Sequence, residues 1–192
     1  MIFSRLAEGE VNRAEQVFYR ASGKSINVAR GLHTLGEEAA LITPLGGKTG
    51  EIVLADLKNS TIPHRIVITR AQTRTCITAV DRSRREATEL VEEAEKLRPA
   101  EIAQLKKTFL QSLRGASMAI LSGSLAAGVS KDFYADCCAA ANARNVKVIL
   151  DARGPECSEP CLIGRWSSNP TDWNLARHSE KQCKIAPYCA VR

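Results

Sequence analysis

Two short runs in this 192-residue chain combine residue types that grip anions. The first, Ala21-Ser22-Gly23-Lys24-Ser25-Ile26-Asn27-Val28-Ala29-Arg30, is a small-residue turn opening into a helix with Lys24 and Asn27 at its mouth. The second, Leu121-Ser122-Gly123-Ser124-Leu125, is a Gly/Ser turn ending an apolar run. Backbone N–H groups at such turns and helix mouths attract negative charge. Gly23 permits close approach of backbone to ligand. Lys24 adds a movable positive charge, and Asn27 offers a donor and an acceptor for hydroxyls. Taken alone, the first run also reads as a Ser/Gly cap on an amphipathic helix. Thr73-Arg74-Thr75 contributes a guanidinium fork that matches phosphate oxygens, although a lone strand arginine is ordinarily a solvated charge. Gly46-Gly47-Lys48-Thr49 invites a P-loop reading, but the glycine needed five positions before Gly47 is Ile42. These four residues are therefore expected to form a tight turn that can touch substrate.

The elements that must hold these groups follow from periodicity. Ile26, Ala29 and Leu32 at helical spacing predict a helix over 25–35, stopped by Gly36. A short buried strand over 39–45 and a helix over 49–57 come next, an alternation that builds a mostly parallel sheet. Val11, Val17, Phe18 and Tyr19 among charges predict a short exposed strand within 9–19. The β-branched runs 66–68, 75–80 and 88–91, separated by charged turns, predict an antiparallel ribbon. A helix over 99–113 begins with Pro99 and acidic Glu101, both suited to a helix N-terminus. A buried strand over 118–121, a helix over 130–143 and a buried strand over 146–150 ending in Asp151 complete the regular pattern. No internal repeat is present.

Composition bounds the class. One substantial core fits this length, and 44% apolar with 25% charged residues is ordinary for a globular domain. No apolar stretch has membrane-helix length, and Met1-Ile2-Phe3-Ser4-Arg5 lacks a signal-peptide core, so a cytoplasmic protein is expected. Seven cysteines form no regular disulfide framework. Cys137 and Cys138 fall in an apolar helical pattern and are expected in the core. The Cys157/Cys161 and Cys183/Cys189 spacings fit no common zinc motif, so no metal site is expected. Half of the net charge of +6 comes from residues after Gly164, where five basic side chains face two acidic ones. Without a basic stripe interleaved with aromatics, nucleic-acid binding is a minor alternative.

Together the two turns resemble substrate-site motifs of the PfkB family of sugar kinases, in its 1-phosphofructokinase and tagatose-6-phosphate kinase branch. Where the family runs Gly-Gly-Lys-Gly-Ile-Asn-Val-Ala, this chain keeps Gly23, Lys24, Ile26, Asn27, Val28 and Ala29 and departs at Ser22 and Ser25. Thr73-Arg74 resembles the family's Thr-Arg pair. Ser122-Gly123-Ser124-Leu125 resembles its Ser-Gly-Ser-Leu-Pro turn, with Ala126 in place of proline, and Asp151-Ala152-Arg153-Gly154 follows its Asp-x-x-Gly. The resemblance covers roughly 5–156. It implies an α/β, ribokinase-like, mostly parallel sheet flanked by helices, with a small antiparallel β-lid, over residues 1–156. It also implies ATP-dependent phosphorylation of a sugar phosphate, of the fructose 1-phosphate or tagatose 6-phosphate type. Gly23, Lys24, Asn27, Arg74 and Ser124 are the implied substrate-binding residues. A homodimer through the exposed lid ribbon is expected.

The same comparison implies that this fold is incomplete here. None of the six aspartates sits in the family's Gly-Ala-Gly-Asp turn, so no catalytic residue is assigned. ATP and Mg²⁺ are the family's cofactors, yet the nucleotide-binding half has no counterpart here, nor has the opening core strand. Residues 157–192 form an atypical tail, expected to be disordered or the product of a reading-frame change. Permitted codons for 167–175, read two bases later, spell Val-Lys-Pro-Asn-Arg-Leu-Glu-Leu, close to the family's Lys-Pro-Asn-x-x-Glu-Leu. The expected activity is therefore impaired or absent. The alternative is a non-catalytic interaction fragment that pairs through its lid.

Overall fold

In the computed structural model, which describes residues 1–152 and 189–191, period-two burial in two strands sets the architecture. The elements are β1 (Ile2–Phe3), α1 (Lys24–Thr34), β2 (Ala39–Gly46), α2 (Gly47–Asn59), β3 (His64–Thr69), β4 (Cys76–Asp81), β5 (Glu86–Val91), α3 (Pro99–Ser112), β6 (Met118–Ser122), α4 (Phe133–Asn142), β7 (Lys147–Asp151) and β8 (Cys189–Val191). In β2, Leu41 and Leu45 face one side and Ile42 the other; in β6, Ile120 opposes Ala119 and Leu121. Buried on both faces, such strands need helices on both sides. On one side lie α1 (Ile26, Ala29, Leu32) and α2 (Val53, Leu57). The other holds α3 (Leu105, Phe109) and α4 (Phe133, Tyr134, Cys137, Cys138, Ala141). Leu41, Leu57 and Leu121 are wholly buried, each contributing about 2 kcal/mol of transfer free energy. Both helical cysteines are in the core as expected, and burial pushes the Cys137 thiol up to about 12.

The main sheet has the order β3-β2-β8-β6-β7. Its β2–β3 and β6–β7 pairs are parallel, with α2 and α4 as crossovers, while β8 lies antiparallel to both neighbours. A separate three-stranded sheet, β1-β4-β5, forms the lid: β4 and β5 are antiparallel and β1 is parallel to β4. Every residue of β5 is exposed. Asp81 ends β4 and accepts hydrogen bonds from the Leu6 and Ser83 amides (2.9 and 2.8 Å) and from the Ser83 hydroxyl (2.7 Å). The Leu6 amide, then the Ser83 hydroxyl, hold its carboxyl down at about 2.

Local chemistry accounts for the helix ends. α1 stops in a Schellman motif: the Gly36 amide bonds to the His33 carbonyl and the Glu37 amide to the Leu32 carbonyl, with Gly36 at φ 78°. Pro99 opens α3, and the Glu101 carboxylate turns back to accept the Arg98 amide at 2.7 Å.

Three expectations need correction. The 66–68 run belongs to β3 in the main sheet, parallel to β2, because crossover α2 returns the chain beside β2 and Val67 is buried. A β-branched run carries no label for the sheet it joins. The 9–19 segment forms no strand; Gln16 makes a single bridge to Ile2, and Asn12 instead ties the loop to the Ala7 amide and carbonyl. The fourth helix-length pattern begins at Phe133 rather than residue 130, since 130–132 make a turn closed by the Phe133 amide on the Ser130 carbonyl. The expectations for the 157–192 tail and for Cys157, Cys161 and Cys183 lie outside the described residues. Of that tail only the backbone strand Cys189–Val191 is described.

Candidate functional site

Parallel strands bring their C-terminal ends to one edge of a sheet, where ligands of open α/β folds bind. Here those ends are Gly46 of β2, Thr69 of β3, Ser122 of β6 and Asp151 of β7. Ser122 and Asp151 are direct partners in the β6–β7 ladder. The Ser122 hydroxyl donates to Asp151 Oδ2 at 2.9 Å, and the Gly123 amide donates to the Asp151 carbonyl at 3.0 Å. From α1, the Lys24 ammonium reaches both Asp151 carboxylate oxygens at 3.2 Å. The two anion-gripping turns therefore meet, joined by one carboxylate. They approach so closely that a Cβ on Gly123 would stand 3.9 Å from that of Lys24. Gly123 has φ 97°, and its carbonyl accepts from the hydroxyl of buried Tyr134 at 2.9 Å, which fixes the turn.

The first turn is anchored from behind. The Ala21 amide donates to Asp56 of α2 at 2.9 Å, while Arg30 of α1 spans the Ala21 carbonyl and the Asp56 carboxylate (2.6 and 2.5 Å). Ala21 is fully buried, so the chain enters Ser22-Gly23-Lys24 along a fixed path. Gly23 caps α1 at φ 130° with open space around it. Its glycine identity therefore answers a backbone conformation rather than crowding.

Beside this junction is a cavity of about 240 Å³. Its polar wall includes Thr43, Thr69, Gln72, Thr73, Arg74, Ser122 and Ser124; Ile42, Leu97, Leu105, Leu125, Val129 and Phe133 form an apolar wall. Of the five residues singled out from the sequence, Arg74 and Ser124 line the cavity. Lys24 stands next to it in the Asp151 ion pair, and Gly23 precedes Lys24 at the cap. Asn27 is exposed one turn into α1 and is not among the cavity-lining residues. Ser25, where the resemblance expects glycine, does line the cavity. Gly46-Gly47 serves the neighbouring wall: the Thr73 amide donates to the Gly46 carbonyl at 2.9 Å, and the Thr73 hydroxyl accepts the Gly46 amide at 3.0 Å. A Cβ on Gly46 would overlap the carbonyl oxygens of Ala71 and Thr69.

Sequence reasoning missed Asp151 as a site residue, although an aspartate closing a buried strand is itself a signal. Tyr134 was missed because its pattern marks it only as core. Among the described residues, no group of three or more His, Cys, Asp or Glu side chains is arranged to hold a metal ion.

Comparison with known proteins gives the same architecture. A phosphofructokinase-2 from Escherichia coli, in a tetrameric inhibited form, superposes with a TM-score of 0.71 and 30% identity, over 82% of this chain and 51% of its own. The same enzyme in complex with fructose-6-phosphate gives 0.70 and 26%, over 80% and 50%. A possible 1-phosphofructokinase from Thermotoga maritima shares the fold, with a TM-score of 0.70, 19% identity and coverages of 82% and 54%. The chain thus spans about half the length of the solved chains it matches. The ribokinase-like fold is present in part. The sequence profile of the pfkB carbohydrate kinases matches residues 2–162, nearly all of the described structure. A match that long, on a fold that agrees with it, makes this chain a member of the pfkB family of carbohydrate kinases.

Proposed function

We propose that this chain is the substrate-holding half of an ATP-dependent sugar-phosphate kinase. In this reading the cleft binds a hexose phosphate of the fructose 1-phosphate or tagatose 6-phosphate type. The observation that carries it is the meeting of three cation- and hydroxyl-bearing segments at one sheet edge, Lys24, Arg74 and Ser122-Gly123-Ser124. Arg74 pairs bidentately with the substrate's existing phosphate. Lys24 exchanges its partner Asp151 for ligand oxygens. Ser124, and Asn27 from the helix mouth, address the sugar hydroxyls. A solved relative at 26% identity was captured with fructose-6-phosphate, which supports a phosphorylated hexose as the ligand class. A cytoplasmic site of action belongs to the same proposal.

Enzymes of this family use ATP and a divalent metal. The described residues do not fit either group: they offer no cluster of metal-ligating side chains and no Gly-Ala-Gly-Asp turn. The chain alone is therefore expected to bind sugar phosphate weakly without turnover. Titrating the ¹⁵N-labelled full chain with fructose 1-phosphate, fructose 6-phosphate and tagatose 6-phosphate tests this. The expected result is saturable shifts at Gly23, Lys24 and Ser124 that vanish in Arg74→Met. No response to any of the three overturns the pocket assignment, and ATP-dependent turnover by pure protein overturns the expectation of inactivity.

A second reading has its own support. All of β5 is exposed, including Leu90 and Val91 at 58% and 52%, which suits a lid that pairs with a second lid. Sedimentation velocity tests this pairing, which predicts a dimer that Leu90→Glu dissociates.

A further inference from the structure

The chain crosses from the main sheet to the lid through residues 70–75 and returns through residues 92–98. The outgoing crossing carries Arg74, which must project into the cleft from a segment with no helix or strand of its own. Backbone amides in such a segment need partners, and here, besides the Thr73 amide on the Gly46 carbonyl, three of them find carboxylates. The Arg70 amide donates to Glu101 Oε1 at 2.6 Å, the Gln72 amide to Glu95 Oε2 at 2.9 Å, and the Thr75 amide to Glu92 Oε2 at 2.7 Å. The Glu92 amide answers by donating to the Thr75 carbonyl at 3.1 Å. All three acids sit on the return crossing or on the first turn of α3 just beyond it. The Arg70 amide, then the Arg98 amide, hold the Glu101 carboxyl below its usual range.

A carboxylate is an acceptor only, and a bond from N–H to a charged acceptor is stronger than one to a neutral carbonyl. Glu95 lines the same cavity as Arg74. A free negative charge there opposes an anionic ligand, so its engagement with the Gln72 amide has a purpose beyond charge. We infer that Glu95, flanked by Glu92 and Glu101, is a positioning residue that clasps the two lid crossings together and thereby sets Arg74 against the cleft. The inference rests on the sugar-phosphate reading for what Arg74 binds, but not for the clasp itself.

Glu95→Ala removes charge and acceptor together, whereas Glu95→Gln keeps an acceptor oxygen and removes only the charge. Amide hydrogen exchange on the full-length chain reads the clasp directly. Exchange at Gln72 is expected to speed about tenfold in Glu95→Ala and to stay near wild type in Glu95→Gln. Inorganic phosphate, followed by the Arg74 amide resonance, reads the consequence. Binding is expected to weaken about fivefold or more in Glu95→Ala and to match or exceed wild type in Glu95→Gln. Unchanged Gln72 exchange in Glu95→Ala, or equal phosphate affinity in the two variants, overturns the inference. If wild type itself ignores phosphate, the role given to Arg74 as the phosphate holder falls while the exchange result still decides the clasp. Should Glu95→Ala fail to fold, Glu92→Ala with Thr75 as reporter makes the same test.

Discussion

Asp151 is where the turn at Gly23-Lys24 and the turn at Ser122-Gly123 are tied together, and the strength of that tie follows from its geometry. At the 3.2 Å Lys24–Asp151 separation, Coulomb attraction is about 1.3 kcal/mol in bulk water and about 5 kcal/mol at an effective dielectric of ~20. The two side chains are 46% and 30% exposed, so the aqueous limit governs. Ordering the lysine reduces the net to about 0.5–1 kcal/mol. The Ser122 bond is better sheltered: Ser122 is 5% exposed and donates to a charged acceptor, a contribution of about 1.5–2 kcal/mol. Asp151→Ala deletes both and should cost about 2–3 kcal/mol. Asp151→Asn keeps an oxygen for the Ser122 hydroxyl and should cost about 1 kcal/mol. Urea denaturation at constant slope measures these differences. A cycle of Asp151→Asn with Lys24→Met should give a coupling of about 0.5–1 kcal/mol that shrinks in about 0.5 M salt. A loss below about 0.5 kcal/mol in Asp151→Ala would refute the assignment, as would zero coupling at low salt.

Two further outcomes are expected. Gly46→Ala drives a methyl into the Ala71 and Thr69 carbonyl oxygens; a loss of about 3 kcal/mol, or some 6–12 °C in Tm, should follow, and a Tm within about 1 °C of wild type contradicts it. Asp81 contributes lid stability above its ordinary 3.8, and this is lost as pH falls toward about 2. Exchange at the Leu6 and Ser83 amides should therefore rise, beyond its intrinsic pH dependence, only below about pH 4. Asp81→Asn should abolish that step; a step that survives the substitution assigns it to another group.

What the sequence discloses here is local, and what it conceals is pairing at a distance. Ile26, Ala29 and Leu32 repeat at helical spacing and Gly36 supplies the left-handed residue that ends α1, so that helix is readable from its own residues. The runs in β4 and β5 are likewise readable as a hairpin, because a short turn leaves each strand no nearer partner. β3 has the same β-branched character, and only the return of α2 decides that it joins the main sheet. Lys24 and Asp151 lie 127 positions apart, and no spacing rule links them. Asn27 shows the converse: a residue type suited to sugar hydroxyls stands one turn into α1 without lining the cavity. Its role depends on the ligand reaching the helix mouth.

The antiparallel strand β8 also shapes how this molecule reaches its native state. Each parallel pair, β2 with β3 and β6 with β7, closes through one short crossover helix. By contrast, Ala39 meets Val191 across roughly 150 positions, a span whose closure entropy slows pairing relative to local contacts. On the ribosome, both halves of the sheet can condense while the strand that bridges them is still unmade.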